Sequence, residues 1–121
     1  MSTLKVTNIQ DASGGNSSTS AEIYSGRCKA WVSFNGYGTV SIRADFNVNT
    51  ITDNGTGDYT VNFSNSLASA NYACVGGSRY AQNGASILSN FHDDETTSNV
   101  KVYTVGSVYY DCERVDIACF L

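Results

Sequence analysis

Phe46-Asn-Val-Asn-Thr-Ile-Thr-Asp-Asn-Gly-Thr-Gly-Asp-Tyr-Thr-Val-Asn-Phe63 is the stretch that decides the fold class. In its second half Tyr59, Val61 and Phe63 alternate with Asp58, Thr60 and Asn62, the period of a half-buried strand. In its first half Phe46, Val48 and Thr50 alternate with Asn47 and Asn49, which predicts a matching strand with those three on one face. Between them Asp53-Asn-Gly-Thr-Gly57 is dense in residues that tolerate turn conformations. The reading is a β-hairpin turning across Asn54-Gly55.

Working outward, the same grammar repeats. Ala30-Trp-Val-Ser-Phe34 alternates and stops at Asn35-Gly36, and Gly38-Thr-Val-Ser-Ile-Arg43 follows closely, giving another hairpin. Trp31, the sole Trp, opposes the Ala30/Val32/Phe34 face, so it belongs on the outer sheet surface or at a subunit interface. Tyr72-Ala-Cys-Val75 reads as a short buried strand ended by Gly76-Gly77, and Asn83-Gly84 as a turn before Ile87-Leu88. Asn90 to Glu95 begins a polar excursion; Asn99–Val105 and Tyr109–Leu121 are the last strands. The chain has no Pro to interrupt them. About seven short strands at this spacing predict an all-β domain, a small antiparallel β-sandwich or a jelly-roll-like one.

The N-terminal end has a different texture. Leu4, Val6 and Ile9 are isolated apolar positions in a polar stretch that ends Asp11-Ala-Ser-Gly-Gly-Asn-Ser-Ser18. Residues 1–18 therefore read as an extended arm and flexible linker, and 19–121 as the β-domain. Burying Leu4 and Val6 would contribute about 3–6 kcal/mol. Ordering each backbone residue costs about 1–2 kcal/mol, so such an arm orders on a partner rather than alone. Thr19 with Glu22 three residues on is a capping-box pattern, and Gly26 a stop; residues 19–26 predict one short helix, expected to dock on the domain.

Composition narrows function. The 121 residues make one domain, with 41% hydrophobic, 12% aromatic and only 15% charged residues. The seven Lys and Arg are scattered and the net charge is −4, which argues against nucleic-acid binding and a polybasic membrane anchor. No stretch has the roughly 20 apolar residues of a membrane span, and Met1–Asn8 carries no secretory h-region. Cys28, Cys74, Cys112 and Cys119 show no metal-ligand spacing. Cys112 and Cys119, seven apart, would face opposite sides of one strand; the four read as buried free thiols, with a disulfide as the alternative.

Catalytic signals are weak. The single His92 beside Asp93, Asp94 and Glu95 reads as a solvated acidic loop rather than a metal or acid–base cluster. Asp53 and Asp58 sit at turn positions, where Asp bonds local backbone, rather than as a glycosidase pair. No catalytic residue, metal or cofactor is expected. Tyr80, Tyr103, Tyr109 and Tyr110 lie among Ser, Asn and Gly, a mixture that supplies rigid aromatic area with adaptable hydrogen bonding; they are the candidate receptor-binding residues.

Two segments, Arg27 to Arg43 and Phe46 to Phe63, together resemble a module of tail-fibre-like proteins of bacteriophages, particularly phages of aquatic bacteria. The opening Thr3-Leu-Lys-Val-Thr-Asn-Ile-Gln-Asp-Ala-Ser-Gly14 resembles the start of short fibre proteins in that group. Cys28 and Cys74 depart from it, standing where small or apolar residues are expected. The resemblance covers roughly residues 3–75 and fades in the C-terminal third. It implies a non-enzymatic virion protein, made in the host cytoplasm, trimeric, with other virion proteins and a host-surface glycan or protein as partners. Leu4, Val6 and Ile9 would then serve virion attachment. The alternatives are a capsid decoration (cement) protein and a carbohydrate-binding module.

Overall fold

The structure is a computed structural model; it describes residues 1–80, 86–87, 89–91 and 94–121. The expected turn at Asn83-Gly84, Leu88, and the His92-Asp93 pair lie outside the described residues.

Among the described residues the chain forms eleven strands and one helix. An N-terminal hairpin, β1 (Asn8–Gln10) and β2 (Ser17–Thr19), leads into α1 (Ser20–Gly26). The domain follows as β3 (Cys28–Asn35), β4 (Ser41–Phe46), β5 (Val48–Gly55), β6 (Asp58–Phe63), β7 (Ala73–Arg79), β8 (Ser86–Ile87), β9 (Ser89–Phe91), β10 (Asn99–Thr104) and β11 (Arg114–Phe120). Two antiparallel sheets face each other, one ordered β4-β3-β11-β7-β8 and the other β5-β6-β10-β9. Consecutive strands pair within a sheet before the chain crosses to the other, so the all-β domain is a sandwich of hairpins.

Alternation builds the core. Ala30, Val32, Phe34, Val115, Ile117 and Cys119 point inward from one sheet; Val48, Tyr59, Val61, Phe63, Val100 and Val102 meet them from the other. Phe34 and Tyr59 pack edge to face across the interior, ring centroids 5.2 Å apart.

Four local readings need correction. Phe46, Val48 and Thr50 do not share a face: β4 ends at Phe46, and Asn47 turns the chain between sheets at φ 57°. Asn tolerates this left-handed conformation because its short amide bonds nearby backbone. Asn47 Oδ1 accepts from Asn65 N (2.8 Å), and Nδ2 donates to the carbonyls of Lys29 (3.2 Å) and Asn65 (3.0 Å). Val48 is therefore buried and Phe46 exposed, and a bulge between Val48 and Thr50 turns Thr50 outward. Second, Gly55 pairs with Asp58, so the hairpin turns at Thr56-Gly57, with Gly57 at φ 63°. Third, β7 runs through Gly76-Gly77, which pair with Ile117 and Asp116. Fourth, Cys74 and Cys119 are directly opposed on β7 and β11 and form a disulfide; only Cys28 and Cys112 are free thiols.

The N-terminal segment is also more organised than a linker. Asn8, Ile9 and Gln10 pair with Thr19, Ser18 and Ser17. The Asp11 carboxylate closes the loop between them, accepting from Ser13 Oγ (2.8 Å), Gly15 N (2.9 Å) and Asn16 Nδ2 (3.0 Å). These bonds, Ser13's foremost, hold the Asp11 carboxyl below its ordinary pKa. The capping box is formed: Thr19 Oγ1 accepts from Glu22 N (3.1 Å), and Glu22 Oε2 accepts from Thr19 N (2.7 Å). The helix does not dock as expected, since none of its residues is buried. Its link to the domain is Lys29, whose Nζ donates to the carbonyls of Tyr24 and Arg27 and lies 3.8 Å from the centroid of the Tyr24 ring.

Candidate functional site

The four candidate tyrosines gather toward one end of the sandwich but separate into two pairs with different roles. The Tyr80 and Tyr110 rings pack at a 50° tilt with centroids 5.2 Å apart, both half-buried against the core. Tyr110 is further fixed through its backbone: its N donates to Thr104 O (3.0 Å), and its carbonyl accepts from Thr104 Oγ1. Gly57 lies so close that a Cβ there would meet Thr104 O at 2.7 Å and Tyr110 N at 2.9 Å. These two tyrosines build the scaffold. Tyr103 and Tyr109 form the other pair, ring centroids 5.8 Å apart. Tyr103 is on the outer face of β10 opposite Asp58, and Tyr109 is half-exposed in the loop after β10 beside exposed Val108. Of the four, only Tyr109 is half-exposed; Tyr103, like Tyr80 and Tyr110, is half-buried.

Beneath them a partly buried polar node ties the end together. Asp111 Oδ1 accepts from Gly57 N (2.9 Å) and from the Tyr59 hydroxyl (2.9 Å), which also reaches Gly36 O (2.8 Å). Gly36 N in turn donates to Cys112 O (2.8 Å). Burial, then the adjacent Asp111 carboxylate, raises the Tyr59 phenol above its ordinary pKa. The Asp111 carboxylate is thus occupied by two donors that hold the β5–β6 turn and the 105–113 loop in place.

The other acidic candidates have local partners. Asp53 Oδ1 accepts from Gly55 N (3.0 Å), as a turn Asp should. Asp58 Oδ1 accepts from Asn54 Nδ2 (3.1 Å), and Asp94 pairs with Lys101 at 2.9 Å. Among the described residues no three His, Cys, Asp or Glu side chains are grouped to hold a metal ion, and no helix is long and apolar enough to cross a membrane.

The arm residues are bare. Residues 1–27 are all exposed, including Leu4, Val6 and Ile9 together with Ile23 and Tyr24. The segment is folded but has no core of its own.

Sequence reasoning missed one surface. On the outer face of the five-stranded sheet, register places Phe46, Trp31, Ala118 and Val75 in one row across β4, β3, β11 and β7. Phe46, Trp31 and Val75 are 49%, 39% and 58% exposed. In the next row Ser33 opposes Asp116. Ser33 Oγ and Asp116 Oδ1 are buried with no hydrogen-bond partner among the described residues, an arrangement that ordinarily costs about 1–3 kcal/mol per group. Trp31 was expected on an outer surface; its neighbours were not visible, because they come from strands far apart in sequence.

No protein-family model, no curated protein and no solved structure matches the chain.

Proposed function

We propose that this protein is a non-enzymatic bacteriophage virion component, a homotrimeric tail-fibre protein that attaches through its N-terminal arm and meets the host surface through Tyr103 and Tyr109. The observation that carries the reading is the arm. A hairpin and a capped helix form over residues 8–26, yet every residue from 1 to 27 stays exposed, apolar side chains included. Such a segment has surface to bury and nothing of its own to bury it on, which fits a part built for assembly. At the opposite extreme of role, the tilted Tyr103–Tyr109 ring pair sits on a framework held by Asp111 and Gly57, as a recognition surface requires.

Deleting residues 1–18 tests this. The truncated protein is expected to stay folded with nearly unchanged melting temperature and to be lost from assembled virions. Unfolding would make the arm part of the core, and normal incorporation would sink the attachment role. Labelling intact virions separates the two virion readings: a few copies at the tail fit a fibre, whereas hundreds over the head mean a decoration protein.

A further inference from the structure

A pocket of about 430 Å³ opens where the end of α1 meets the domain. It lies at the far end of the sandwich from the tyrosines, since β3 starts beside it with Lys29 and finishes at Asn35, next to Gly36 of the polar node. Its charge is one-sided. Arg79, Lys101 and Arg114 each pair with a carboxylate, whereas Arg27 and Lys29, which both line the pocket, have none among the described residues. Both sit around the Tyr24 ring, the Lys29 ammonium 3.8 Å and the Arg27 guanidinium carbon 5.3 Å from its centroid. Lys29 is buried, and the carbonyls of Tyr24 and Arg27 solvate its charge without cancelling it. Arg27 is exposed, and its guanidinium makes no hydrogen bond among the described residues, so the N–H edge of its planar fork is open to a ligand.

The rest of the lining is mixed in a way that narrows the ligand. Half-exposed Phe46 offers a flat apolar face. Ser64, Asn65 and Ser66, all exposed, add hydroxyl and amide groups. Their loop is held from behind. Asn47 accepts from Asn65 N (2.8 Å) and donates to Asn65 O (3.0 Å), Ser64 N donates to Asn47 O (3.1 Å), and buried Leu67 donates its N–H to Thr97 O (2.7 Å). The wall is therefore set before a ligand arrives, which lowers the ordering cost of binding. We propose that this pocket binds an acidic saccharide, a pyranose ring that bears a carboxylate. The carboxylate takes the Arg27 fork in a bidentate pair, with the Lys29 charge behind it. The C–H face of the ring covers Phe46, and the ring hydroxyls meet Ser64, Asn65 and Ser66. Inorganic phosphate would leave the aromatic face unused, and a neutral sugar would leave both cations uncompensated. Such binding does not depend on the virion reading; it stands or falls with the pocket alone.

Titration calorimetry on the full chain provides the test. The probes are oligosaccharides of glucuronate, galacturonate, mannuronate and sialic acid, the same compounds with their carboxyls methylated, inorganic phosphate, and a short poly-glutamate peptide. At least one acidic saccharide is expected to bind, and its methyl ester to bind about tenfold or more weakly. Phosphate and the peptide should bind less well than that saccharide. Arg27→Met and Phe46→Ser should each weaken its binding about tenfold or more. Both side chains are exposed, so the melting temperature should hold; should Phe46→Ser fold poorly, Phe46→Leu keeps the bulk and removes the flat ring. Lys5→Met removes the same charge from the exposed arm and should leave the affinity unchanged, which separates the pocket from net charge. No binding by any acidic saccharide, an ester that binds as well as its acid, or wild-type affinity in the Arg27 or Phe46 variant would each overturn the proposal. So would phosphate binding as tightly, which would mean a plain anion site, or the peptide doing so, which would mean a protein partner. A loss in Lys5→Met equal to that in Arg27→Met would overturn it as well.

Discussion

Tyr59→Phe removes one oxygen from the polar node under the tyrosine end and leaves the ring in place. Phe34 keeps its edge-to-face contact, so the loss isolates the hydroxyl. That hydroxyl shares its single proton between Gly36 O (2.8 Å) and the Asp111 carboxylate (2.9 Å). After substitution Asp111 retains the Gly57 N–H, but it loses a charge-assisted partner in a partly buried setting. Hydrogen bonds to charged groups are worth about 1.5–3 kcal/mol, so we expect a loss of about 2 kcal/mol. For a chain of this size that lowers the melting temperature by roughly 6–10 °C. Urea unfolding followed by far-UV circular dichroism should show a lower midpoint at unchanged slope. The pH dependence is a second readout. The folded-state pKa of Tyr59 lies above its ordinary value of 10.0, so the fold favours the protonated phenol. Its contribution is fully present below pH 10 and declines as pH rises above that toward the folded value. Tyr72, whose phenol is pushed up to about 12, chiefly by burial, adds to the same alkaline loss, but it cancels in the difference between wild type and Tyr59→Phe. The gap between the two proteins should therefore narrow above pH 10. A loss under about 0.5 kcal/mol, or a gap that widens with alkalinity, would refute the role assigned to this node.

Thiol titration of the denatured, unreduced protein should count two free cysteines, Cys28 and Cys112. Replacing Cys74 and Cys119 by Ala opens a loop spanning 45 positions and should cost about 4 kcal/mol, read as a lower urea midpoint; four titratable thiols would contradict the pairing. Gly57→Ala and Gly38→Ala form a matched pair, both at positive φ, but only Gly57 has backbone atoms within 3 Å of the added Cβ. Gly38→Ala should cost about 1–2 kcal/mol by calorimetry, from the left-handed conformation alone, and Gly57→Ala distinctly more; equal losses would mean that the contact with Thr104 and Tyr110 carries no weight.

What could be read from the sequence divides by the distance over which the deciding interaction acts. The strands β6 and β10 alternate buried and half-buried residues just as their apolar period implies, and the Thr19–Glu22 capping box forms within three residues. Asn47 resisted the same reading because its partners, Lys29 and Asn65, each lie 18 positions away. Without them Phe46-Asn-Val-Asn-Thr50 scans as one uninterrupted strand. Gly76-Gly77 reads as a strand end until β11 supplies partners from residues 116 and 117. The cysteines behave alike: spacing excluded a bridge within one strand, but pairing Cys74 with Cys119 needs the β7–β11 register. Among the tyrosines, composition marked four, and only the packing of the 105–113 loop distinguishes the Tyr80–Tyr110 pair set against the core from the Tyr103–Tyr109 pair on the outer side of β10.

The same logic bears on the outer face of the five-stranded sheet. Phe46, Ala118 and Val75 draw no notice singly as surface residues, and Trp31 is marked only as one outward-facing side chain; scattered surface apolar groups are ordinary. Register makes them a contiguous row, with two orphaned polar atoms in the row beside it.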